Sequence, residues 1–424
     1  MGLNQSPARI PSPPTTAERA LIHAGRSSLD RWVLHPFWGL VILVAILGLA
    51  MLATFGLALP VSSYLQNNLV ASLRDTLTGM LTDAPDWLRE LLTHGLLGGL
   101  GTALSLAPVL LVLFVVLGFL EESGYLVRAS LVMDRYLRRL GLPGRACVPL
   151  SMGFGCNTSA VAGCRILPDR RSRLLTMLLV PFIPCTSGLA SITFLTPTLF
   201  GKSASLVTWG LISLSLLLLI LTAKLVGWLH PPKTPAILQP SFPANRLPAY
   251  HLPRGRQVIQ YVWANMSEFL VKKLGVQIVV LSTLVWSLSY FPNGSMESSY
   301  LAAISRWLEP AGAMIGVHDW RFIVALITSI FSRENSIAVL GVLFASHSGE
   351  IAFSAQISAA LTPAAGLAYL TVQRLFIPCA NSLVAIRQDS GSLRLPLMSI
   401  GLMLIISISM GMLVYRLALL AGLS

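Results

Sequence analysis

Charge is what this sequence has least of. Of its 424 residues, 11% are Asp, Glu, Lys or Arg and 54% are hydrophobic, whereas a soluble globular domain carries about 25% charged residues. A soluble enzyme is excluded on that ground. So is a disordered chain, which would be apolar-poor and charge-rich. Lysine is confined to Lys202, Lys224, Lys233, Lys272 and Lys273. Cysteine is limited to five residues, an odd number lying mostly within apolar segments, which does not describe a disulfide framework. Catalytic signatures are missing too. The Gly201-Lys202-Ser203 triplet matches only the end of a phosphate-binding loop, because Thr196 stands where the opening glycine is needed. The seven His are scattered without ligand spacing, and no Ser-His-Asp or metalloprotease motif occurs. No enzyme and no nucleotide-binding domain is therefore expected. No early apolar core marks a cleavable signal peptide, so the first span is expected to serve as the signal.

What is present is apolar sequence in long runs, with a mean hydropathy of +0.72. That predicts an all-α polytopic membrane protein. The net charge is +13, and the basic residues sit between apolar runs, where they mark cytoplasmic loops rather than a nucleic-acid surface. Spans are predicted at 36–60, 95–119, 174–200 and 204–229, and apolar segments near 274–291, 320–345, 360–386 and 395–421. Residues 61–94 read as a mixed-charge external loop, 121–145 as an amphipathic basic stretch, and 230–256 as a Pro-rich basic linker. Positive charge at both ends of 146–164 forbids a single crossing there, so that segment is read as re-entrant or broken, and 320–345 likewise. Non-helical backbone at membrane depth is tolerated only against protein or a wet cavity.

Two segments echo one another. PFIPCTSGLASI (181–192) and LFIPCANSLVAI (375–386) share six of twelve positions, and upstream CNTSAVAG (156–163) aligns with ENSIAVLG (334–341). The motif order is the same in both halves, as in repeat-built transporters, and the charge topology makes the two copies inverted. Pro184 and Pro378 each remove a helix hydrogen bond, freeing carbonyls beside a thiol. The predicted architecture is about eight or nine membrane segments in two inverted repeats with broken or re-entrant helices.

The candidate chemistry follows from these motifs. GFGCN (153–157) places Cys156 and Asn157 after a flexible turn, and the repeat mates are Glu334 and Asn335. A carboxylate within an apolar stretch is a functional-site hypothesis in itself. With Cys185 and Cys379, these residues form a mixed sulfur and oxygen set suited to borderline divalent metals over Mg²⁺ or Ca²⁺. Glu121 and Glu122 stand at a cytoplasmic mouth. Cys147 and Cys164 have no mate in the second half and read as inert buried thiols.

The order ESGYLVRASLVMDRYLRRLGLPGR (122–145), GFGCN, PFIPC and RLFIPCANSLVAI resembles the membrane permease region of FeoB-type ferrous iron transporters. That resemblance covers most of 95–415. It implies two gate-type repeats (95–229 and 274–424, the second including a final span), preceded by a cytoplasmic tail (1–35) and a first span with its loop (36–94), and joined by a linker (230–273). It also implies Cys156, Cys185 and Cys379 as iron-path thiols. The family's N-terminal GTP-binding domain has no counterpart in these residues, and Thr158-Ser159 replace the proline expected after GFGCN. The expectation is a bacterial inner-membrane importer of Fe²⁺ or a similar divalent metal, with the N-terminus cytoplasmic. No permanently bound cofactor and no nucleic acid are expected. A GTPase subunit in trans and a homo-oligomer are compatible partners. The rivals are a gate-type transporter of nucleosides or other organic solutes, and a non-transporting membrane assembly subunit.

Overall fold

The computed structural model describes residues 32–35, 37–80, 85–167, 169–229, 255–266, 275–292, 298–333, 335–344 and 356–422. Most of the expected tail (1–31) and much of the expected linker (230–254 and 267–273) lie outside them. Among the described residues every regular element is helical. Three helical stretches there, 170–228, 363–390 and 394–420, are long and apolar enough to cross a membrane. In the last only 22% of the most apolar window is buried, leaving Leu397, Ile405, Leu413 and Leu420 exposed. An apolar face of that size suits lipid rather than water.

The chain opens with two long helices, α1 (Trp38–Tyr64) and α2 (Leu97–Glu122). At 1.5 Å per residue, 27 and 26 residues give each about 40 Å, more than the roughly 30 Å of a hydrocarbon core. Within the expected loop, 61–94, the described residues are largely helical: α1 runs through Pro60, and π-helical turns (Leu65–Val70 and Leu91–Leu96) flank helical segments at Ala71–Met80 and Asp86–Glu90. Ala71–Met80 buries none of its residues. Its helicity follows from the cheapness of propagating a helix already nucleated by α1.

Amphipathic α3 (Tyr125–Leu137) starts at Gly124, which is left-handed at φ 75°, and buries Tyr125, Ala129, Val132 and Leu137. Asp134 closes the following elbow. It pairs with Arg138 at 2.6 Å and accepts from the Gly144 amide at 2.8 Å. The elbow delivers the chain to α4 (Cys147–Gly153), a break, and α5 (Asn157–Gly163). Then come α6 (Arg170–Leu179), capped by Asp169 on Ser172, a second break, α7 (Thr186–Phe200) and long α8 (Ala204–Leu229).

After α9 (Gly255–Met266), α10 (Gly275–Tyr290) and α11 (Tyr300–Trp307), the same order returns. The pair α12 (Trp320–Ser329) and α13 (Asn335–Phe344) brackets a break. So does the pair α14 (Pro363–Leu375) and α15 (Ala380–Ser390), and long α16 (Arg394–Leu420) follows. Local signals set these ends. Asp319 caps α12, Thr362 caps α14 with Pro363 in its first turn, and left-handed Gly391 ends α15. The halves interlock: α5 packs on α15, while α7 packs on α13 and α14.

The elbow has no room for a side chain at Gly144. A Cβ there would stand 2.2 Å from the Ser130 carbonyl oxygen and 2.6 Å from Asp134 Cβ. Gly144→Ala is expected to cost about 1–3 kcal/mol, the usual penalty for overpacking. The detergent-solubilised protein should then melt several degrees lower; an unchanged melting temperature would contradict this packing.

Candidate functional site

Each predicted path thiol stands where a helix is interrupted. Cys156 lies between α4 and α5 with extended backbone (φ −147°, ψ 123°) and occupies the N-cap of α5. Cys185 is the N-cap of α7 (φ −77°, ψ 164°), and Cys379 is the N-cap of α15 (φ −58°, ψ 147°). The sequence predicted broken or re-entrant helices, and the interruption at each Pro-Cys pair is complete. Ile183, before Pro184, is extended at φ −77°, ψ 130°, and so is Phe376, two before Pro378, at φ −63°, ψ 172°. Proline lacks the amide that would continue the ladder and drives the preceding residue out of the helical region.

The breaks are tied together in pairs. In the first half, the Thr186 amide and hydroxyl both donate to the Gly155 carbonyl, at 3.2 and 2.9 Å. In the second half, the Ala380 amide donates to the Ile330 carbonyl at 2.7 Å. In both, the residue after the Pro-Cys pair is anchored on the break that precedes it in the same half. The halves are also joined to each other. Thr158 Oγ1 is 3.4 Å from Ser382 Oγ, which is 3.1 Å from Cys379 Sγ, and the Ser191 hydroxyl donates to the Arg333 carbonyl at 2.8 Å.

These ties gather the thiols. Cys156 lies within electrostatic range of Cys185 and Cys379, and Cys379 within range of Cys185. Cys185 is buried, and Cys156 and Cys379 are half-buried. Among the described residues, no three His, Cys, Asp or Glu side chains form a group that could hold a metal ion. The thiols are therefore neighbours and not a closed chelate.

The predicted oxygen donors divide. Asn157 is buried, with its Oδ1 lacking a hydrogen-bond partner, one residue from Cys156. An unsatisfied buried acceptor costs about 1–3 kcal/mol and suits a cation ligand. Asn335 is half-buried at the first position of α13, the place Asn157 holds in α5. Glu334 lies outside the described residues, as does the side chain of Glu121. Glu122 is half-buried at the end of α2. Cys147 and Cys164 are buried as expected, with the Cys164 thiol directed at the Ala160 carbonyl at 3.3 Å.

Two arginines were not among the predicted site residues. Arg374 is 1% exposed and donates from Nη2 to the Phe182 carbonyl at 2.8 Å. Arg333 is 5% exposed and donates from Nη1 to the carbonyls of Gln373 (2.9 Å) and Arg374 (3.0 Å) and from Nη2 to that of Phe376 (3.4 Å). The Arg333 guanidinium is thus turned inward onto backbone. The available sequence signal was an arginine inside the apolar stretch before FIPC. Asn381, whose Oδ1 is also buried without a partner, was missed because nothing in its motif sets it apart.

The Gate family model, described as nucleoside recognition, matches residues 103–198 and 271–393, more than half of the chain. The chain belongs to the Gate family. Both matched segments contain the broken-helix pairs. Among curated proteins this Gate chain is similar to the Fe(2+) transporter FeoB of Synechocystis, at 32% identity over 86% of the chain and 58% of that protein. It is 32% identical to FeoB of Escherichia coli K12 over 75% of the chain and 42% of that protein. The FeoB of Methanocaldococcus jannaschii is likewise 32% identical, over 72% of the chain and 46% of that protein. The chain thus spans about half the length of these relatives, and the resemblance to the FeoB permease region read from its motifs holds. No solved structure matches.

Burial separates the five thiols, and reactivity should follow. A small maleimide is expected to modify Cys156 and Cys379 before Cys147 and Cys164. Cd²⁺, which prefers thiolates, should protect only the first pair. Uniform labelling of all five, read by peptide mass mapping, would contradict the arrangement.

Proposed function

We propose that this chain is a bacterial inner-membrane permease, with its N-terminus cytoplasmic, that imports Fe²⁺ or a similar divalent transition metal. The path runs past Cys156, Cys185 and Cys379, with oxygen donors from Asn157, Asn335 and Glu334. The observation that carries this reading is the gathering of three cysteines, from three separate helix breaks in both halves, within electrostatic range of one another. Sulfur selects transition metals over Mg²⁺ and Ca²⁺, and carboxylate and amide oxygens keep binding weak enough for release. An open arrangement suits cargo, which must leave as well as bind. The similarity to Fe(2+) transporters supports iron as the first metal to test.

The two halves act as inverted gate-type repeats. Their support is the repeated order of broken pairs and the reciprocal packing of α5 on α15 and α7 on α13, as expected of elements related by a pseudo-two-fold axis. Glu121 and Glu122 serve the cytoplasmic mouth of α2. The membrane potential is sufficient as a driving force: moving two charges inward is worth about 4.6 kcal/mol per 100 mV, roughly a thousandfold in concentration. A GTPase acting in trans would then regulate passage rather than power it.

The family description, nucleoside recognition, supports a second reading, an organic-solute carrier. Proteoliposomes separate the two. Under an imposed potential, Cys156→Ser, Cys185→Ser and Cys379→Ser are each expected to lower anaerobic ⁵⁵Fe²⁺ uptake by about tenfold or more, on the scale of losses around metal ligands. Unchanged uptake in all three would end the thiol path, and competition by nucleosides but not by Mn²⁺ or Co²⁺ would favour the organic-solute reading.

A further inference from the structure

The repeat motif FIPC occurs at 182–185 and 376–379, so Phe182 and Phe376 are equivalent residues. Each carbonyl stands at the end of a helix cut short before a Pro-Cys pair, where no later amide can reach it. Carbonyls released by a broken helix are the oxygens a partly dehydrated cation uses in repeat-built transporters. Here both are already taken by a guanidinium, since Arg374 donates to the Phe182 carbonyl at 2.8 Å and Arg333 to the Phe376 carbonyl at 3.4 Å. Arg333 also holds the carbonyls of Gln373 and Arg374, so one side chain covers the open end of α14.

Arg333 and a path thiol share the space beside Gly188. At the point where a Cβ on Gly188 would stand, Arg333 Cδ is 3.2 Å away and Cys185 Sγ 3.5 Å. The absent side chain of the glycine leaves room for both. Arg333 is within electrostatic range of Cys379 and of Arg374, and Arg374 of Cys185. A fixed positive charge beside the thiols repels an incoming divalent ion, and its donors occupy oxygens that the ion would otherwise recruit.

We propose that Arg333 is a tethered cation that fills a carbonyl subsite beside Cys185, formed by Gln373, Arg374 and Phe376, and that a divalent metal loading on the thiols must displace it. The proposal rests on the thiol-path reading and adds a specificity-determining residue to it. With Arg333 in place the three carbonyls are occupied; with Arg333 displaced, their oxygens become available near the Cys185 sulfur. Arg333 thereby weakens resting affinity and eases release.

The test uses the purified full chain in detergent and Co²⁺, whose thiolate ligation is seen as charge-transfer absorption. Arg333→Gln is expected to tighten Co²⁺ binding by about tenfold or more, the scale of removing one like charge at a partly screened distance. Arg333→Lys keeps the charge but cannot span three carbonyls, so its affinity should fall between wild type and Arg333→Gln. A purely structural role predicts the opposite sign, with weaker binding in step with lowered stability. Equal or weaker binding by both variants would overturn the proposal. If Arg333→Gln does not fold, Arg333→Lys decides alone: tighter binding than wild type supports the proposal, and equal or weaker binding ends it. Wild type giving no thiolate band would instead end the thiol-path reading, because the reference affinity comes from the unmodified protein.

Discussion

The structure depends on one constraint: a helix broken inside an apolar protein leaves carbonyls and amides that water cannot satisfy. Each orphan group costs several kcal/mol in such surroundings, so every break must bring its own partners. The anchored amides of Thr186 and Ala380 and the guanidiniums of Arg333 and Arg374 are those partners. Because the partners come from other breaks, satisfying one break fixes the position of another. The convergence of Cys156, Cys185 and Cys379 follows from this lacing, each thiol being the N-cap of a helix whose start is held from outside.

The same lacing explains why the site is open. A chelate for a resident metal needs ligands closed to bonding distance and a second shell that holds them there. Here Thr186 and Arg333 near the thiols bind backbone, and the amide oxygens of Asn157 and Asn381 are left without partners. Unsatisfied acceptors and neighbouring sulfurs without a closed donor set are what the proposed cargo site needs, since cargo must leave as well as bind.

Much of this was legible in the residues. The apolar runs, the FIPC echo and the paired CNTSAVAG and ENSIAVLG segments predicted broken elements in the same order in both halves, and the structure has them. Residues 61–94 read as a mixed-charge external loop, although a helix leaving a long apolar neighbour propagates through polar residues at little cost. At the prolines, the hydrogen bond each removes was legible, and the extended geometry of the residues before them adds to that loss. Arg374 escaped notice because its partner, the Phe182 carbonyl, is 192 residues away.

Composition and hydrophobic run length determined the helical membrane class, and the internal echo the order of the broken elements, because each is a property of neighbouring residues or of two segments alike in sequence. Which groups meet was decided by tertiary structure. Breaking a helix creates a local demand for hydrogen bonds but does not say who answers it. The answer depends on which distant helix ends are packed alongside, and that depends on the whole chain.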